Sequence, residues 1–348
     1  MAENLRCMKT VTPSFQNLNK AEHGGRGSKP LVPANKKFRE YLDFSASLNP
    51  YAPALDWNIP PENIRRYPDD DYTILKEVIA RHHHRDPEEI CVGNGSAEII
   101  RTLCHTLVRP GTRVHIPPHT FSEYALSARL AGGDIVHSTG AQADISFICN
   151  PDNPSGILKP RTEIHELLKI IANSDGLLCL DEAFIDLADP EQSVADIRHS
   201  SLFIMKSLTK TFSMAGVRFG YGIGTPDLIA AMEVMRPPWT VNAFAEAMAI
   251  QSFECHHELE ISRQYIRQER DRIMKRCTEL GFTHSPATAN YILFDTGGSA
   301  SELTQKMQDL GVLIRDCSSF GLPSCVRVAV RKHDENDILL EAFAQCLL

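Results

Sequence analysis

From about residue 72 the chain alternates short unbroken apolar runs with stripes of apolar residues at helical spacing. The first stripe places Leu75, Val78 and Ile79 on one face of a helix that begins near Tyr72. Short runs then predict strands at 90–92, 113–116, 135–137, 145–149, 177–180, 202–205 and 219–223. Amphipathic segments between them predict helices at 97–108, 122–130, 161–171 and 226–235. Strands alternating with helices at this spacing predict an α/β fold with a mostly parallel sheet covered by helices on both faces. In such a sheet, function sits at the carboxyl ends of the strands.

Beyond Pro237-Pro238-Trp239 the rhythm changes. One long helical region is expected over 242–280, followed by a smaller α/β unit. That unit has strands at 291–294, 312–315 and 326–330 and helices at 301–310 and from Glu335 onward. Residues before about Asp43 are polar, carry Gly24-Gly25 and several prolines, and show no period, which predicts an extended arm. The expected division is an arm at 1–43, a large unit at 44–240 and a small C-terminal unit at 241–348.

Composition narrows the function classes. A length of 348 residues with 43% hydrophobic and 23% charged residues suits a globular chain of two cores. A formal net charge of −8 disfavours a nucleic-acid scaffold but leaves room for a local basic site. No run of about 18 apolar residues occurs and no signal-like segment opens the chain, so neither membrane spanning nor secretion is expected. The ten cysteines lie within apolar stretches without any C-x-x-C pair, the habit of reduced thiols, and a cytoplasmic location is expected. His82-His83-His84 and His256-His257 do not converge at helical spacing, so they are expected to be solvated histidines, and no metal site is expected.

Four strand ends carry candidate chemistry. Gly93-Asn94-Gly95-Ser96-Ala97 is a glycine-rich turn opening a helix, suited either to a phosphate or simply to a capped turn. A dinucleotide fingerprint is disfavoured because Ile99 and Ile100 occupy the place of its third glycine. Asn150-Pro151-Asp152-Asn153-Pro154 makes a turn that presents Asn153 at the same edge. Asp181 ends an apolar run, where it acts as a cap or as a buried carboxylate in need of a partner. Ser207, Lys210 and Arg218 follow the next run, either as a surface loop or as a polar cluster.

Taken in this order over nearly the whole chain, the motifs resemble the fold-type I pyridoxal-phosphate (PLP) enzymes of the aminotransferase superfamily. The resemblance implies pyridoxal 5'-phosphate as cofactor. Lys210 would bind its aldehyde as a Schiff base, and Asp181 would pair with the ring nitrogen. Ser96, Ala97, Ser207 and Arg218 would hold the phosphate, Phe121 would stack on the ring, and Asn153 would bond its 3-oxygen. Tyr67 in Arg65-Arg66-Tyr67-Pro68 would reach the cofactor of a neighbouring subunit, which makes a homodimer the expected unit.

The segments Glu22-His23-Gly24-Gly25, Asp43-Phe44-Ser45-Ala46-Ser47-Leu48-Asn49-Pro50 and Ile314-Arg315-Asp316-Cys317-Ser318-Ser319-Phe320 are similar to the branch that holds threonine-phosphate decarboxylases, of the cobalamin pathway, and histidinol-phosphate aminotransferases. That likeness implies a phosphorylated amine-bearing substrate. Arg327 would take its carboxylate, Arg315 its other anionic end, and His23 and Asn49 would close over it. Decarboxylation is the favoured reaction and transamination the alternative. A non-catalytic regulator is disfavoured by the presence of both Lys210 and Asp181. The chain departs from the branch at Arg26 and Ser47, where asparagines are usual, and at Phe184, where many relatives carry tyrosine. Arg331 fits either a further phosphate contact or an exposed ion pair.

Overall fold

The structure is a computed structural model that describes residues 18–25, 41–137 and 143–347. Arg26 and most of the arm lie outside the described residues. Among the described residues eight strands precede residue 240: β1 (Leu42–Asp43), β2 (Ile90–Gly93), β3 (Arg113–His115), β4 (Asp134–Val136), β5 (Ile145–Cys149), β6 (Leu177–Asp181), β7 (Leu202–Ser207) and β8 (Gly220–Ile223). Seven of them form one sheet in the order β2-β8-β7-β6-β5-β3-β4. Neighbours are parallel except β8, which runs antiparallel to both β2 and β7.

Strand alternation divides this sheet between two cores. Phe147, Cys179, Phe203 and Met205 face one cluster, while Ile148, Leu178, Leu180 and Ile204 face the other. Both faces are apolar, so β5 and β7 are buried along their whole length, and this is why they read as unbroken runs.

The helices in chain order are α1 (Pro61–Arg65), α2 (Thr73–His83), α3 (Ser96–Leu107), α4 (Ser122–Leu130), α5 (Arg161–Ala172), α6 (Ile185–Ala188), α7 (Leu208–Thr211), α8 (Pro226–Met235), α9 (Ala243–Glu254), α10 (Leu259–Glu279), α11 (Ala300–Asp309) and α12 (His333–Cys346). The first sheet core holds Ile100 and Leu103 of α3, Tyr124 and Ala128 of α4 and Ile229 of α8; the second holds Ile79 of α2, Leu168 of α5, Met248 of α9 and Ile266 of α10. The helical region expected over 242–280 comprises two helices, α9 and α10. A 3-10 turn at His256–Glu258 separates α9 from α10 and lays the His256 ring parallel to Phe253.

The remaining strands are β9 (Thr283–His284), β10 (Tyr291–Asp295), β11 (Val312–Leu313), β12 (Arg315–Asp316) and β13 (Cys325–Ala329). β12-β13-β10-β9 make an antiparallel sheet. The strand expected over 312–315 is divided because its two halves serve different partners: β11 pairs in parallel with β1, and β12 pairs with β13. The end of the arm is thereby tied, in a separate two-stranded sheet, to the strand that precedes β12. Alternation along β13 buries Val326 and Val328 in the core and turns Arg327 to the opposite face, level with Arg315 across the pair.

Candidate active site

The carboxyl ends of β5, β6 and β7 open onto a cavity of about 420 Å³. Because β8 is reversed, its first residue Gly220 pairs with both Gly93 and Ser207, so the segment before β8 reaches the same edge. The start of α3 presses on that strand. A Cβ on Gly220 would stand 2.5 Å from the Ser96 amide nitrogen, so only glycine permits this approach. The first amides of α3 have no partner within the helix, and its dipole favours an anion there. Arg218 adopts a left-handed φ of 67°, a costly conformation for arginine, and its guanidinium lies against Gly95. The buried hydroxyls of Ser207 and Thr209 donate to the Phe219 carbonyl at 3.4 and 3.2 Å. Ser96, Ala97, Ser207 and Arg218 thus meet at one end of the cavity, as a phosphate cup requires.

Asp181 lies deeper in the same cavity, 3% exposed. Its Oδ2 accepts from the Tyr124 hydroxyl at 2.6 Å and its Oδ1 from the Ala183 amide at 2.9 Å. Burial raises its pKa above the ordinary carboxylate value in spite of these bonds, and among the described residues no lysine or arginine pairs with it. Lys210, on the single turn α7, projects into the cavity. Burial, then the nearby Arg327 and Arg218 guanidinium groups, lower its pKa to about 8, which keeps a neutral amine within reach near physiological pH.

An anion cup beside Arg218, an aldehyde-reactive amine and a buried carboxylate fit the three poles of pyridoxal 5'-phosphate. The fold that brings them together is that of the fold-type I enzymes carrying this cofactor. The chain belongs to the family Aminotransferase class I and II, which it matches over residues 61–343. It is 34% identical over 327 residues to a protein of Caldanaerobacter subterraneus subsp. tengcongensis described, by inference, as a threonine-phosphate decarboxylase, covering 85% of this chain and 88% of the relative. It is also 27% identical to the histidinol-phosphate aminotransferase of Moorella thermoacetica, covering 92% and 89%. The crystal structure of the histidinol-phosphate aminotransferase from Clostridium acetobutylicum superposes with a TM-score of 0.79 at 29% identity, covering 88% of this chain and 99% of the other.

At the other end of the cavity Arg327 is buried. It bonds the Asn153 Oδ1 and, at 3.1 Å, the Ser45 carbonyl, and its guanidinium carbon sits 5.1 Å from the Tyr291 ring centre. Arg315 lies over Phe320 and donates to the Glu22 carbonyl and the Ser319 hydroxyl. His23 lines the cavity beside Phe121, with Nε2 3.1 Å from Glu123 Oε1. Phe184 also lines it, edge-on to Tyr291, and Ser47 is buried there with its hydroxyl unbonded.

Two expected residues are not brought to this cavity. Asn49 is 1% exposed, its side-chain amide is bonded to Thr211 and Ser262, and it does not line the cavity. Tyr67 is 79% exposed and stacks on Trp239 at 4.4 Å, outside the cavity of its own chain. Arg331 proves to be an ion-pair residue, engaged by Glu335 and the Asp43 carbonyl.

His84 and His257 are exposed as expected, but His82, His83 and His256 are not freely solvated. His83 is buried and bonds the Tyr221 hydroxyl at 2.9 Å, and His82 packs on His256 with ring centres 4.4 Å apart. Burial lowers the pKa of His82 to about 4 and holds His83 well below its ordinary value. These rings join α2 to the 3-10 turn after α9, a contact between segments too far apart in sequence for local spacing to reveal. Among the described residues no cluster of metal-ligating side chains occurs.

Sequence reasoning missed Tyr124. Its signal was position: it follows by three residues Phe121, which precedes the first turn of α4, and the two rings meet with centres 5.4 Å apart. It also missed the buried group formed by Lys206 with Asp186 at 3.0 Å and Glu182 at 3.4 Å.

Proposed function

We propose that the protein decarboxylates L-threonine O-3-phosphate to (R)-1-aminopropan-2-yl phosphate, a step of cobalamin biosynthesis. The observation that carries this reading is the 34% identity over 85% of the chain with the Caldanaerobacter relative, against 27% with the Moorella aminotransferase. The cavity supports it by offering guanidinium groups at two places, the buried Arg327 and the more exposed Arg315, with His23 also lining it. A phosphorylated amino acid carries two anions of matching chemistry.

In this reading Arg327 takes the substrate carboxylate and directs the bond to be broken, while Arg315 and His23 hold the phosphate end. Ser96, Ala97, Ser207 and Arg218 grip the cofactor phosphate, Phe121 covers its ring, Asn153 bonds its oxygen and Asp181 faces its nitrogen. Bound pyridoxal phosphate supplies an electron sink for the bond lost at Cα. The Lys210 Nζ returns a proton to Cα after carbon dioxide departs, so that one carboxylate leaves as CO₂ and one proton replaces it. Residues 44–240 act as the cofactor-binding unit and 241–348 as the smaller one. The working unit is a cytoplasmic homodimer in which the exposed Tyr67 reaches the neighbouring site.

The second reading, histidinol-phosphate transamination, has the structural likeness to the Clostridium enzyme in its favour. The purified protein with pyridoxal phosphate is expected to release CO₂ from O-phosphothreonine and to form no glutamate from histidinol phosphate. Histidinol-phosphate-dependent glutamate from 2-oxoglutarate, without CO₂ from O-phosphothreonine, would establish the second reading instead.

A further inference from the structure

Asn49 engages its backbone amide and both polar atoms of its side chain, none of them on the cavity. Its backbone amide donates to the Lys210 carbonyl at 3.0 Å. Its Nδ2 donates to the Thr211 carbonyl at 2.8 Å and to the Ser262 hydroxyl at 3.0 Å, and its Oδ1 accepts from the Tyr51 amide at 2.9 Å. The Ser262 hydroxyl in turn donates to the Tyr51 carbonyl at 2.7 Å. Lys210 and Thr211 end α7, a helix of four residues whose last carbonyls have no continuing turn to receive them. Ser262 lies in the first turn of α10, the 21-residue helix that packs against β9 and β10 of the small sheet.

We infer that Asn49 is a positioning residue: it caps the turn that carries Lys210 and ties that turn to α10, thereby fixing the backbone from which the lysine amine is projected. The chemistry at this point demands two donors and one acceptor on a planar group. Aspartate offers no donor and would set a charge against the Thr211 carbonyl; serine is too short to span both sides. The lysine side chain is long and flexible, so its placement depends on its backbone, and errors of about 1 Å at a reacting group cost about a hundredfold in rate. The inference rests on Lys210 being the cofactor lysine, and is independent of which reaction follows.

The test uses Asn49→Asp and the milder Ser262→Ala, each compared with the parent. Three readouts are taken: the pH titration of the lysine-bound cofactor's absorbance without substrate, amide hydrogen exchange over residues 207–214 in cofactor-free protein, and the separate kcat and KM. Asn49→Asp is expected to shift the titration midpoint, to speed exchange at Phe212 and Met214, whose amides close the turn, and to lower kcat about ten- to a hundredfold with KM within about twofold. Ser262→Ala should move the same readouts less. A raised KM with titration and exchange as in the parent would make Asn49 a substrate ligand and overturn the inference. A lowered melting temperature with titration and exchange unchanged would make it merely structural and also overturn it. If Asn49→Asp does not fold, Ser262→Ala decides: no change in its titration or exchange overturns the inference. Lys210→Ala, run alongside, isolates the premise, since retention of the absorbance in that variant places the failure in the lysine assignment.

Discussion

Lys206 and Lys210 stand four residues apart at the end of one strand and meet opposite surroundings. Lys206 is 2% exposed and points to the sheet face that holds Ile204. Burial there works against its charge, but Asp186 and Glu182 outweigh burial and raise its pKa. Lys210 emerges past the strand end into the cavity, where burial and two guanidinium groups lower its pKa to about 8. One lysine is held charged and inert, the other is held ready to lose its proton. The difference comes from strand parity followed by one helical turn, and from which face each amine meets.

The largest effect should come from removing the reactive member. Lys210→Ala is expected to abolish turnover and the absorbance of the lysine-bound cofactor while leaving the melting temperature of the cofactor-free protein near that of the parent. Lys206→Met should do the reverse. It strands Asp186 and Glu182 in the interior, costing roughly 3–5 kcal/mol in urea unfolding, while the protein that does fold keeps the cofactor absorbance. Loss of that absorbance with unchanged stability would erase the contrast. The smallest effect concerns pH. The charged Lys210 is disfavoured by folding, so its penalty is full below about pH 8 and vanishes as the pH rises toward the ordinary 10.5. Lys206 contributes stability that is full below 10.5 and is lost only above it. Lys210→Met should therefore be more stable than the parent at pH 7 in cofactor-free urea unfolding, and that advantage should shrink at pH 9.5. A constant difference would mean that the amine is not displaced from its ordinary range.

The gathering of the polar groups at one cavity was largely legible in the sequence, because each follows an apolar run and therefore lies at the same edge of the sheet. Gly95, Asn153, Asp181 and Lys210 could be placed without contacts. The rest depended on contacts between segments far apart in the chain. Tyr124 acquires its meaning from Asp181, and Asn49 from Thr211 and Ser262, pairs that no local period connects. His82 and His256 look like surface residues until α2 and the turn after α9 are seen to touch. The split of the expected strand at 312–315 was hidden for the same reason, since one half answers to the arm and the other to β13.

The reversed strand β8 also bears on how the molecule is made. Among the described residues β2 pairs only with a strand that lies about 130 residues later, so this edge of the large sheet cannot close until most of the chain has emerged. Gly220, against which the start of α3 is set, arrives with that same strand. The anion cup is therefore among the last parts of the sheet to assemble, and a nascent chain ending before Ile223 contains Lys210 and Asp181 but not the completed cup. A truncated chain ending before Arg218 is therefore expected to retain less cofactor than the full chain in a gel-filtration assay.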